Sequence, residues 1–551
     1  MTRYAQHVHS LTTSQNEQAR PEQVENHAGG FTFQLDKWKR LDRFLILGTE
    51  GGTYYVDERK HTKQAAKGLE SCILEDGPRT VRRIVEISDA GRAPKNDPAI
   101  FALAMCAGAK SAETRRAALA ALPKVCRIGT HLFHFVNDVE GFRRWGRSLR
   151  RAVAAWYLDR PADQLAYQVV KYQQRDGWSH RDVLRLAHPH ALTPQQDATF
   201  RWVTADKHDI GAETKKGKPL SRDALPEMIK AFDAIMNPEC PKKEAIRLIS
   251  EYRLPHECVP NELKGDPKVW EAMLPHMGIT AVMRNLAKMT SIGLLGPMSD
   301  TTRKVATMLQ DASTLKKGRV HPLGILFALK TYQSGHGLKG SLTWKPQREI
   351  VDALDEGFYQ AFQTIEPTGK RILLALDVSG SMSSPIAGTS LSCRDATAAL
   401  AMVTARTEAS WHCIAFTCGG MYGGGDATLT ILNISPKQRM DDVVKTISNL
   451  PFGGTDCSLP WLYAIEQKIP VDACITMTDN ETWAGNVHPH QALEAYRQKS
   501  GIAAKNIVVG MTATDFTIAD PNDAGSMDVV GFDAATPAVM ADFIANREAS
   551  S

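Results

Sequence analysis

Asp377, Ser379 and Ser381 alternate in Asp-Val-Ser-Gly-Ser, at the end of the apolar run RILLALD (371–377). Later come Gly453-Gly454-Thr455-Asp456 and a second acid, Asp479, which ends the apolar run ACITMTD (473–479). Asp377, Ser379, Ser381, Thr455 and Asp479 together offer two carboxylates and three hydroxyls, an all-oxygen set of hard ligands. Magnesium, or another divalent cation, suits that set, because it favours octahedral oxygen and keeps waters or takes an acid from a partner. Gly380 lets the loop turn back so that both serines reach one spot. The plainer reading is a strand-end turn whose Asp and Ser cap the next helix; three such elements in order favour the metal. Enzymatic readings are weaker. An aspartyl phosphatase wants a second acid where Ser379 stands, and a serine hydrolase wants glycines where Asp377 and Ser381 stand. Two-metal hydrolysis needs several carboxylates, for which Asp456 is a weak third. CGGMYGGGD (418–426) lacks the Gly-Lys-Ser/Thr end of a phosphate loop and reads as a flexible hairpin. His131, His134, His488 and His490 have no acidic or Cys partners close in sequence and read as surface or interface histidines.

These residues need a sheet edge to bring them together. From Glu366-Pro367-Thr368-Gly369 onward, apolar runs alternate with helical stretches: WHCIAFT, TLTILN, NIVVGMTAT and DVVGFD between LSCRDATAALAMVTART, RMDDVVKTISNL, LPWLYAIEQ, HQALEAYRQKS and PAVMADFIANRE. That alternation predicts an α/β domain over 367–551, a mostly parallel sheet covered on both faces, with TLTILN as an antiparallel edge. Ligands of such sheets bind outside the carboxyl ends of the strands, where Asp377 and Asp479 lie.

The larger part is different. From about Gln34 to about Ala361 the pattern is helical, with alanine-rich stretches broken at Gly77-Pro78, Pro123, Pro161, Gly177 and further prolines. Residues 31–366 therefore read as stacked helix pairs, an α-solenoid with degenerate repeats. Residues 1–30, polar and rich in Gln, Asn and Thr, read as a flexible or extended arm. In FRRWGRSLRR, Arg143, Arg147, Arg150 and Arg151 follow i, i+4, i+7, i+8 and line one helix face, apart from Trp145, Leu149 and Val153. Lys171 and Arg175 are again four apart on a helix that Gly177 closes, followed by Arg181, Arg185 and His188; Ser179 is placed to cap the helix of HRDVLRLAH. Such rows suit phosphates along a nucleic-acid backbone, although a solvated charged face is the plainer account of any one helix.

Charge weighs the two accounts. Of 66 Lys and Arg and 61 Asp and Glu, residues 366–551 hold 12 and 20, a net −8, leaving 54 and 41, a net +13, for residues 1–365. A basic helical part joined to an acidic α/β part favours a polyanion on the first. With no helix-turn-helix, zinc finger or basic zipper, RNA read by shape and stacking is preferred to DNA. The N-terminus has no apolar signal core and no apolar run is long enough for a membrane span. Ten cysteines without a CxxC pair point to a reducing cytoplasm, with Cys72, Cys106 and Cys126 as small buried hydrophobes.

The motif set Asp377, Ser379, Ser381, Thr455 and Asp479 resembles the metal-ion-dependent adhesion site of a von Willebrand factor A (Rossmann-like) domain. Helical repeats followed by such a domain, and the segment KYQQRDGWSHRDVLRLAHP (171–189) above all, resemble the Ro autoantigen, or TROVE-domain, family. The resemblance implies HEAT-like repeats closed into a ring by the A domain, small noncoding Y RNA bound outside, and single-stranded ends of misfolded RNA taken into the ring. It carries the Y RNA surface onto Lys171, Arg175 and His188. It implies a monomeric ribonucleoprotein component that is not an enzyme, with a protein partner at the metal site; a protein-interaction adaptor is the alternative function.

Overall fold

A computed structural model describes residues 12–48, 56, 58–205, 222–337, 340–362, 365–386, 391–418, 427–451 and 453–547; the hairpin expected at 418–426 lies almost wholly outside them. The α/β part is a six-stranded sheet. Its strands are β5 (Arg371–Asp377), β6 (Ser410–Cys418), β7 (Ala427–Ile431), β8 (Ala473–Thr478), β9 (Lys505–Gly510) and β11 (Ser526–Val530). Their order is β11-β9-β8-β5-β6-β7, parallel except for β7, which pairs antiparallel with β6 as the edge. Alternation along β5 assigns its side chains to two cores. Leu373 and Ala375 pack with Trp461, Tyr463 and Tyr496, whereas Ile372, Leu374 and Leu376 join Leu400, Met402 and a core continuous with the helical part.

Five further strands were not foreseen. β1 (Gln23–Glu25) lies in the expected arm and β2 (Phe31–Gln34) just after it, at the start of the part expected to be helical; β2 also pairs antiparallel with β10 (Phe516–Thr517) of the α/β part. Over 12–30 the arm takes the extended of the two expected forms and is docked, with Gln15 wholly buried and its amide bonded to Asp456 and the Val487 carbonyl. β3 (Gln174–Arg175) and β4 (Trp178–Ser179) form a small hairpin in the helical part.

The helical part stacks in layers. Helices Glu58–Asp89, Ala112–Val125, Arg147–Leu158 and His180–Ala187 touch in succession, and Asp97–Gly108 packs on Gly129–Glu140 beside them. Apolar faces such as Leu149, Val153 and Tyr157 fill the interior. Late and early segments of the array meet: Arg319 donates to the Asp89 carboxylate at 2.9 Å, and His321 meets the Arg92 carbonyl at 3.0 Å. The α/β domain clamps this junction. Arg92 pairs with Asp533, Arg43 with Asp528 at 2.6 Å and Lys330 with Asp395 at 2.6 Å. Burial pushes the His321 imidazole down to about 4, so it is neutral in that seam. No helix among the described residues is long and apolar enough to cross a membrane.

Candidate metal centre and basic surface

The five oxygen-bearing residues meet at the carboxyl edge of the sheet. Asp377 ends β5, and the turn after it runs through a short 3-10 helix, Gly380–Ser383. Two backbone bonds stitch the loops: Gly380 N–H to the Gly453 carbonyl at 3.1 Å, and Cys418 N–H to the Gly454 carbonyl at 2.7 Å. Thr455 is thereby fixed beside the serine loop. Asp479 directly follows β8. All five residues are buried.

Hydrogen bonds orient the set. One Asp377 carboxylate oxygen accepts from the Ser379 N–H at 2.9 Å and the other from the Thr478 hydroxyl at 2.6 Å. The Ser379 and Ser381 hydroxyls lie 3.1 Å apart. Asp479 accepts from the Glu481 N–H at 3.1 Å. Burial, and then its facing carboxylates Asp377 and Glu481, push the Asp479 carboxyl well above the usual range. Asp377 is raised too, chiefly by burial. The Thr455 hydroxyl, fully buried, has no hydrogen-bond partner among the described residues. Two acids raised by burial, one of them pushed further by the other, and an orphaned hydroxyl are what a divalent cation would relieve, so the donors fit the ion. Among the described residues no three His, Cys, Asp or Glu side chains converge as metal ligands. A divalent ion here would rest on two carboxylates, hydroxyls and the waters that magnesium retains.

Sequence reasoning missed the residues that hold this edge. Arg394, at the start of helix Cys393–Thr407, donates to the Val378 carbonyl and to those of Ser448 and Leu450 at 3.3 and 3.2 Å. Asp456 accepts from Ser458 and from Gln15 Nε2 at 2.8 Å. His488 and His490, expected at a surface or interface, serve the latter: His488 bonds Gln23 and the Glu17 carbonyl, and His490 packs on Phe33.

The helical part redistributes the predicted basic rows. The helix expected through Arg143 begins only at Arg147; Gly146 breaks the row, and Arg143 instead donates to the Ala107 carbonyl at 2.9 Å. The helix carrying Lys171 ends there, not at Gly177. Asp176 and Gly177 take positive φ, 52° and 79°, and make the tight turn of the β3–β4 hairpin, so Arg175 sits on a strand. Lys171 is largely enclosed: it bonds the Tyr167 hydroxyl at 2.9 Å, faces the Tyr172 ring and pairs with Glu257 at 3.6 Å. Arg175 is exposed on the hairpin, with Asp176 at 3.6 Å. Ser179 caps helix His180–Ala187 in a full capping box, as its position predicts, and His188 ends that helix, exposed, with φ 48°. His134 bridges Asp176 and Asp97, while burial takes His131 down to about 4. Arg147, Arg150, Arg151 and Arg185 are exposed on two touching helices, and none of them pairs with an acid among the described residues.

Comparison with known proteins agrees with both halves. A family model described as the TROVE domain matches residues 24–331, and one described as the Ro60 vWA domain matches 371–544. The chain is 40% identical over 540 residues to the RNA-binding protein RO60 of Deinococcus radiodurans, covering 97% of this chain and 98% of that one. It is 35% identical to the RNA-binding protein RO60 of Caenorhabditis elegans, covering 97% and 92%. The crystal structure of the Deinococcus radiodurans RO (RSR) protein superimposes with a TM-score of 0.67 at 39% identity, covering 93% of this chain and all of that one.

Proposed function

The chain belongs to the TROVE-domain family with a Ro60-type von Willebrand factor A domain, and from that premise we propose that it is an RNA-binding component of a ribonucleoprotein. In this reading small noncoding, Y-like RNA lies on the outer basic surface, contacted by Arg175 and His188 and by the arginines of the neighbouring helices. Lys171 contributes through its long-range charge and by holding the segment that leads into the hairpin. Single-stranded ends of misfolded RNA enter the closed helical array, in surveillance or processing. One observation carries the proposal: Arg147, Arg150, Arg151 and Arg185 stay exposed without acidic partners among the described residues, although the chain holds nearly as many acids as bases. Unpaired cations gathered on touching helices are a counterion-releasing surface for a polyanion.

The A domain adds a second contact. Asp377, Ser379, Ser381, Thr455 and Asp479 would hold magnesium or another divalent ion, which would supply an open coordination position for a partner's carboxylate. We read the protein as a binder and not a hydrolase, since Asp456 is engaged by Gln15 and Ser458 and Glu481 by His27 and the Ala28 N–H, which leaves Asp377 and Asp479 for metal. Ten free cysteines, nine of them buried, support a reducing cytoplasm. The meeting of late and early segments of the array supports a monomer.

The decisive experiment is sequencing of RNA that copurifies with the chain, followed by binding of that RNA to wild type and to Arg147→Glu/Arg150→Glu across salt. Small structured RNA bound with a steep salt dependence, lost in the double variant, supports the proposal. Affinity indifferent to both salt and substitution overturns it.

A further inference from the structure

The docked arm reaches the loops that carry Thr455 and Asp479. Gln15 spends its whole amide on them. Its Nε2 donates to Asp456, the residue after Thr455, at 2.8 Å and to the Val487 carbonyl at 2.7 Å. Its Oε1 accepts from the Thr482 hydroxyl at 2.5 Å, and its own N–H donates to the Gly485 carbonyl at 2.9 Å. The Thr482 hydroxyl in turn accepts from the Cys457 N–H at 3.0 Å, and the Trp483 and Ala484 N–H groups donate to the Thr455 carbonyl at 3.1 and 3.0 Å, so the loops after Thr455 and after Asp479 are bonded to each other and Gln15 braces both. A second hold lies next to it. Asn26 donates to the Thr482 carbonyl at 2.8 Å, and His27 and the Ala28 N–H engage the Glu481 carboxylate at 2.9 and 3.2 Å.

The fit is close on both sides. A Cβ at Gly30 of the arm would run into the Thr482 carbonyl, and one at Gly485 of the loop would strike the Gln15 amide and the Asp456 carboxylate. Elsewhere the arm is fastened independently, by Arg20 to Asp520 and by the β2–β10 pairing.

We propose that residues 12–34 form a strap that positions Thr455 and Asp479 for metal binding, with Gln15 and Asn26 as its positioning residues. The inference rests on reading the sheet edge as a divalent-cation site. Neither residue touches the ligand oxygens; each fixes a loop that does, the role outer-shell hydrogen bonds have around metals generally. A consequence is that the metal domain is discontinuous, and its ligand geometry is set in part by residues 12–34, far from it in sequence.

The test uses the full-length chain and three variants. Gln15→Met and Asn26→Leu keep side-chain volume and remove the amides; Arg20→Ala loosens the arm away from the metal loops. Mn2+ is titrated calorimetrically with Mg2+ as competitor, and hydrogen exchange is followed in metal-free protein. We expect Gln15→Met to weaken Mn2+ by about 10-fold or more, the usual cost of an outer-shell partner. Exchange should rise at 454–458 and 479–487, and Arg20→Ala should leave Mn2+ affinity unchanged. Wild-type Mn2+ affinity in both Gln15→Met and Asn26→Leu overturns the strap. Should Gln15→Met fail to fold, Asn26→Leu decides alone. Should wild type take no Mn2+, the metal reading falls by itself; loop exchange in the metal-free variants then decides, raised exchange supporting the positioning role and unchanged exchange overturning it.

Discussion

Arg43, in the first helix of the helical part, and Asp528, on β11 of the α/β part, form an ion pair of 2.6 Å with side chains only 1% and 3% exposed. Arg43 also donates to the Thr514 carbonyl at 2.9 Å and to that of Phe516 at 3.0 Å. A buried pair gives little net stability over an apolar pair, but removing one member leaves the other charge stranded.

Arg43→Ala should therefore destabilise the protein by about 3–5 kcal/mol, read as a lower urea midpoint. Arg43→Met with Asp528→Leu should recover part of that loss, with the carbonyls of Thr514 and Phe516 still unserved. A single variant as stable as wild type would show the pair to be incidental.

At the sheet edge, burial and then the Asp377 carboxylate push the Asp479 carboxyl up. Asp479→Asn should raise the melting temperature in EDTA by relieving that repulsion, and should abolish any rise on adding magnesium. In wild type, magnesium at 100 times its Kd should add about 2.7 kcal/mol. Identical melting of wild type and Asp479→Asn with and without magnesium would contradict this.

On the hairpin, Arg175 is exposed while Lys171 is enclosed by Tyr167, Tyr172 and Glu257. Arg175→Ala should weaken RNA and lower the salt slope by about 0.7–0.9, the value for one phosphate contact, without a change in melting. Lys171→Ala should lower both RNA affinity and melting temperature. Equal effects of the two on stability would refute the distinction.

His180 is buried among Phe133, Trp156 and Tyr157, and burial takes it down to about 3. Its folded value lies below its unfolded one, so between them the unfolded chain binds the extra proton. The stability it contributes is complete above about pH 6.5 and is lost as pH falls toward 3. Between pH 6.5 and 5.0 this costs about 2 kcal/mol, at about 1.4 kcal/mol per unit. His180→Gln should show a correspondingly shallower loss over that interval in urea titrations at each pH. A slope equal to wild type would locate the acid sensitivity elsewhere.

The six-stranded sheet of the α/β half was legible because its strands fall in apolar runs long enough to read by themselves, and because Asp377 and Asp479 end two of those runs. The ion-site residues came together for the same reason. The hairpin at 174–179 was missed although Asp176-Gly177 is a strong turn signal: strands of two residues have no alternation to detect. The strand just after the arm was missed for a different cause. β2 is four residues long and finds its partner at Phe516–Thr517, a pairing no local pattern encodes. Gln15 carries no signal at all, since a polar residue in a polar stretch is buried only because of what folds around it.

That pairing also sets an order of events during synthesis. Phe33 emerges early, yet Thr517, its partner across the ladder, is nearly five hundred residues downstream. At about 5–20 residues per second the ribosome needs roughly 25–100 s to deliver it. Throughout that interval the unmatched edge of β2 is open to other nascent polypeptides, so this segment is where premature release or a stalled ribosome should first expose the protein to chaperones.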